Sequence, residues 1–111
     1  MKATITSIEL KGPLKFFALS AQALQIVKQL KSTKHKAFKK RGFWTTHYTM
    51  TLWASEEDLK AFAHSGAHLN AMKMSKDIAK EIRTITIDAE QLPSWKEAKA
   101  LLLREGKVIE Y

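Results

Sequence analysis

The chain reads as an α+β domain, a split β-α-β-β-α-β arrangement with a C-terminal helix, built on a four-stranded antiparallel sheet. Three observations point there. The run Trp44–Ala54 alternates as a strand does and holds no charged residue, although 27% of the 111 residues are charged. Leu14–Leu30 and Ser55–Phe62 space their apolar residues as helices do. Only four Gly and two Pro interrupt the chain, without repeats or low-complexity stretches, so residues 1–111 read as one domain.

Ala3–Leu10, rich in Thr and Ile, is the first strand. Its apolar phase slips between Ile5 and Ile8, which implies a bulge or a strand covered on both faces. Gly12-Pro13 ends it, and a helix over Leu14–Leu30 buries Phe17, Leu24, Val27 and Leu30. Lys36–Lys40 is a short strand, and Gly42 turns the chain into Trp44–Ala54. Trp44, Tyr48, Met50, Leu52 and Ala54 share one side of that strand; Thr45, His47, Thr49, Thr51 and Trp53 share the other. Ser55-Glu56-Glu57-Asp58 starts a helix, with Ser55 as cap and acids in the first turn. Ser65-Gly66 breaks it, and a second short helix carries Ala67 to Met74. Ile82–Asp88 is a strand. Ser94 and Glu97 open the last helix, which runs to about Arg104, where Gly106 stops it as a left-handed cap would. Val108–Tyr111 offers a short final strand. This order is the ferredoxin-like split βαβ. Such a sheet carries helices on one face, so its other face needs a cover. A homodimer burying the Thr45/Thr49/Thr51 side supplies one.

Nineteen Lys and Arg against eleven Asp and Glu give a net charge of +8, and there is no Cys. That removes disulfides, thiolate metal sites and cysteine nucleophiles. No apolar run exceeds four residues, and the opening lacks the apolar segment of a signal peptide. A cytoplasmic protein with no membrane partner is expected. The excess charge is concentrated in Lys28–Arg41, with Lys34, Lys36, Lys39, Lys40 and Arg41 as its dense end. A helix end and a guarded edge strand explain such a run without a ligand. An anion or nucleic-acid surface is the alternative, and nucleic acid is disfavoured because no recognition motif accompanies the run.

The glycines fit neither a dinucleotide fingerprint nor a phosphate loop, and no Gly-x-Ser-x-Gly elbow exists. His64 and His68 stand four apart, but Ser65-Gly66 lies between them, so no metal site is expected. His68 and Met72 share one turn of the short helix. The bland reading makes His68 a buried ring bonded to a backbone carbonyl and Met72 core filler. The functional reading makes His68 the acid/base or ligand of a pocket between the sheet and the second helix, walled by Trp44, Tyr48, Phe62 and Met72.

The residues Thr49-x-Thr51-x-Trp53, the Ser55-Glu56-Glu57 cap and Ser65-Gly66-Ala67-His68-x-x-Ala71-Met72 carry a resemblance. Leu92-Pro93-Ser94-Trp95-x-Glu97-Ala98 and Gly106 extend it. The chain resembles the dimeric α/β-barrel superfamily of antibiotic biosynthesis monooxygenase-like proteins, in its small-protein branch similar to spheroidene monooxygenase. The match runs from Trp44 to Gly106; the first 43 residues agree only in layout. The resemblance implies a homodimer pairing as a dimeric α/β barrel but no single activity, since the superfamily spans cofactor-free oxygenases, haem-degrading enzymes and proteins with no known reaction. Together with the clustering of His68, Trp44, Tyr48, Phe62 and Met72 it makes a monooxygenase-like activity on an apolar small molecule the first expectation. A non-catalytic ligand-binding or regulatory module is the alternative. Haem is the one cofactor it leaves open. The haem-degrading members use an Asn on the first strand with a Trp and a His on the second helix. Those helix positions are Phe62 and Met72 here, and Ala3–Leu10 holds no Asn, so that chemistry is disfavoured.

Overall fold

The computed structural model describes residues 1–30, 35–63, 73 and 77–110. Strand β1 (Lys2–Leu10) leads through a 3-10 turn (Pro13–Lys15) into α1 (Phe16–Leu30). Then follow β2 (Ala37–Phe43), β3 (Thr46–Trp53), α2 (Glu56–Ala63), β4 (Ala79–Asp88), α3 (Trp95–Glu105) and β5 (Lys107–Glu110). The strands form one sheet in the order β2-β3-β1-β4-β5, antiparallel throughout. The expected core of four strands is present with β5 added on the β4 edge. None of the described helices is long and apolar enough to cross a membrane.

Register sorts the side chains into two faces. Ile5 lies between Met50 and Ile85, and Ala3 between Leu52 and Ile87. This face packs on α3 through Ala98 and Leu102, with Trp95 and Leu101 at the margin. Trp53 and Phe38 point the other way and pack with Leu30 and Ile26 of α1 and Phe62 and Leu59 of α2. Helices therefore lie on both faces, where one face was expected. On the Thr45/Thr49/Thr51 side α1 and α2 close the Trp53 end, while Thr49 itself is exposed. Double cover accounts for the missing charges at Met50, Leu52 and Trp53, the buried end of the run.

The same fact explains the phase slip in β1. Ile5 belongs to the α3 face and Ile8 to the other, in an unbroken register with β3. The one irregularity lies later, between Glu9 and Leu10 opposite β4.

Caps behave largely as read. Ser55 Oγ accepts the Asp58 N–H at 3.2 Å, and Ser94 Oγ accepts the Glu97 N–H at 3.2 Å. Gly106 ends α3 in extended backbone, not a left-handed cap. Its need is closeness: a Cβ there would stand 2.5 Å from the Leu102 carbonyl oxygen. Helix α1 is where expected, but its buried side differs. Ile26 and Leu30 face the core, while Phe17 and Leu24 are exposed. The β2–β3 turn falls at Trp44 and Thr45, after Gly42, and Trp44 holds a φ of 56°. The expected helix from Ala67 to Met74 lies outside the described residues, apart from Lys73.

Candidate functional site

The α1/α2 face has an aromatic end and a hydroxyl floor. Trp53 stacks on Phe62 with ring centroids 5.3 Å apart, and His35 meets it edge-on at 6.2 Å. Trp53 is 1% exposed, and its Nε1 is a buried donor with no hydrogen-bond partner among the described residues. Such a group costs about 1–3 kcal/mol unless something accepts its proton. Beside it, the sequence places a Thr-x-Thr pair on each of three neighbouring strands. Thr51, Thr4 and Thr86 form one row, and Thr49, Thr6 and Thr84 the next. The Thr4–Thr86 hydroxyls lie 3.1 Å apart and the Thr6–Thr84 pair 3.2 Å. At the far end His47 stacks on Phe16 at 5.5 Å, and its Nε2 lies 3.2 Å from the Trp44 carbonyl oxygen.

Of the described pocket residues expected from the sequence, Phe62 joins this cluster. Tyr48 lies on the opposite face, edge-on to Trp95 at 6.3 Å, with the Lys99 ammonium 5.0 Å from its ring centroid. Trp44 stands in the β2–β3 turn, 70% exposed. Trp44, Tyr48 and Phe62 do not converge on one pocket. His68, Met72 and His64 lie outside the described residues, as does Lys34. The rest of the basic run does not form one patch. Lys36 precedes β2; Lys39 and Arg41 sit opposite Met50 and Tyr48, and Lys40 faces the other way opposite Thr49. Among the described residues no group of three His, Cys, Asp or Glu could hold a metal ion.

The α3 face is apolar at one end and charged at the other. A cleft of about 370 Å³ opens there between the sheet and α3. Its floor follows from register: Ser7 lies between Tyr48 and Arg83, and Glu9 between Thr46 and Glu81. Lys99, Leu102 and Leu103 of α3 form its wall. Glu9 accepts hydrogen bonds from the hydroxyls of Thr45, at 2.5 Å, and Thr46. Those donors, Thr45 first, hold its carboxyl below the usual range, against a smaller opposing effect of burial. Arg83 Nε donates to Glu81 at 2.5 Å. Sequence reasoning missed this charged cleft. Its signal was the phase of β1, which places Ser7 and Glu9 on the side of Ile5; Lys99 carries no local mark.

Comparison with known proteins places the fold. Rv0793 of Mycobacterium tuberculosis superposes with a TM-score of 0.73 at 12% identity, covering 84% of this chain and 98% of that one. An antibiotic biosynthesis monooxygenase gives 0.72 at 11% identity, covering 84% and 100%. NE2512 of Nitrosomonas europaea, a protein of unknown function, gives 0.65 at 17% identity, covering 84% and 94%. Among curated proteins none matches the sequence. The structural likeness establishes a ferredoxin-like α+β fold of the antibiotic biosynthesis monooxygenase type, as the sequence motifs implied. A family pattern described as a domain of unknown function, DUF3291, matches residues 11–106, and the chain belongs to that family.

Proposed function

We propose that this chain is a homodimeric, oxygenase-like protein that holds an apolar small molecule between the threonine-lined sheet face and the α2 side, with His68 as its acid/base or ligand. The observation that carries the reading is Trp53. A buried indole N–H without a partner among the described residues sits where an aromatic wall meets six hydroxyls, a setting that suits a flat apolar molecule bearing one polar atom. The fold shared with an antibiotic biosynthesis monooxygenase supports it. Homodimer formation is supported by the exposed apolar stripe of Leu14, Phe17 and Leu24 along the 3-10 turn and α1.

Replacing His68 by Ala tests the role given to that residue. A functional His68 predicts loss of small-molecule binding or turnover with melting temperature nearly unchanged. A core histidine predicts the reverse: a loss of about 1–3 kcal/mol of stability and no effect on a ligand.

A further inference from the structure

We propose that the cleft between α3 and the charged end of the sheet is a second binding site, for a small apolar monocarboxylate. It lies on the face opposite Trp53 and does not depend on the function proposed above.

The cleft's charges do not cancel in place. Arg83 is paired with Glu81 through its Nε. Glu9 is committed to the hydroxyls of Thr45 and Thr46, which tie β1 to the β2–β3 turn. Lys99 is left over. Its ammonium rests over the Tyr48 ring and has no carboxylate in ion-pair reach among the described residues. The ring face gives a cation only about 0.5–2 kcal/mol, less than a hydrogen-bonded anion does.

Two neutral donors stand beside that cation. The hydroxyls of Ser7 and Tyr48 belong to directly opposed residues of β1 and β3, and neither makes a hydrogen bond among the described residues. One ammonium and two hydroxyls above a strand floor match the oxygens of a carboxylate. Glu9 and Glu81 lie in the adjoining row and limit the ligand to a single negative charge, because a dianion such as phosphate would meet both. Leu102 and the exposed Leu103 line the α3 side and suit a short alkyl chain. At about 370 Å³ the cleft falls near the small end of the range for ligand sites, so the ligand is short.

Three tryptophans make the test direct, because each reports a different place: Trp95 packs on Tyr48, Trp53 lies on the other face and Trp44 is in the turn. The full chain is titrated at neutral pH with hexanoate, hexanamide and norleucine, following indole and backbone N–H resonances. Hexanoate should shift the Trp95 indole and the Ser7 and Lys99 amides and leave the Trp53 indole in place. Lys99→Met should weaken hexanoate about tenfold, as expected for a lost charged hydrogen bond, while Lys99→Arg retains it. Absence of any shift overturns the proposal. So does hexanamide binding as tightly as hexanoate, norleucine binding more tightly, or Lys99→Met binding like the parent with its fold intact. A shift of the Trp53 indole alone would support the other face and overturn this one.

Discussion

Trp53 and Phe62 stack with ring planes 29° apart, and this contact fastens α2 to the end of β3. Both rings are buried, and Leu30 of α1 closes the same cluster. Phe62 is the buried residue of α2, an eight-residue helix too short to persist alone. Phe62→Ala should cost about 3–5 kcal/mol, because it leaves a cavity against an indole that cannot move. Equilibrium denaturation checks this; a loss below about 1 kcal/mol would mean the stack does not hold α2.

Trp44 should behave in the opposite way. Its left-handed backbone costs an L-residue about 1–2 kcal/mol, and its exposed ring recovers little of that. Trp44→Gly should stabilise by roughly 0.5–1 kcal/mol after the extra entropy of glycine in the unfolded chain. The His47 contact survives, since its partner is the Trp44 backbone carbonyl. Thermal melting of the two proteins settles the sign.

Glu9 sets an acid limit. Its carboxyl is held below the usual range by Thr45 and Thr46 in the folded state, so the unfolded chain binds its proton first. The stability it contributes is present above the ordinary carboxylate pKa and drains as pH falls through the lowered folded value. Glu9→Gln should flatten that acid limb and leave the alkaline side unchanged. A limb of equal slope in the variant would assign the loss to other carboxylates, of which Asp88, lowered by Lys2, is the first.

The fold was legible because its signals are local. Uncharged alternation marked β3, and Ser55 and Ser94 marked two helix starts that the structure confirms with hydrogen bonds. What failed to show was which face each helix covers. Phe17 and Leu24 fit a helical stripe as well as Ile26 and Leu30 do, and only the tertiary docking of α1 separates them. The site suffered for the same reason. Tyr48 and Phe62 looked like neighbours because a strand and the next helix adjoin in sequence, yet the parity of β3 sends Tyr48 to the α3 face. Lys99 and Arg83 reach Tyr48 only through strand register and the path of α3, and no short motif encodes that.

Haem should leave the protein unchanged. An axial histidine needs a deep apolar slot, and here Trp53 and Phe62 already fill the apolar end of the α2 face. Titration should give no Soret shift. A shift lost in His68→Ala and kept in His64→Ala would make His68 an axial ligand and overturn this expectation.

Sedimentation should find a dimer at micromolar concentration, since Leu14, Phe17 and Leu24 leave the 3-10 turn and α1 with an apolar outer stripe. A monomer across that range would remove the homodimer from the account.

A small molecule held on the threonine-lined face would be read out at the Trp53 indole resonance. Titrating the full chain with 1-naphthol, a flat apolar molecule with one hydroxyl, should shift the Trp53 Nε1–H signal and the amides of Thr4, Thr6, Thr49 and Thr51. The exposed Trp44 indole should stay in place. Shifts confined to Trp44, or none at Trp53 and the threonine rows, would contradict a small-molecule site on this face.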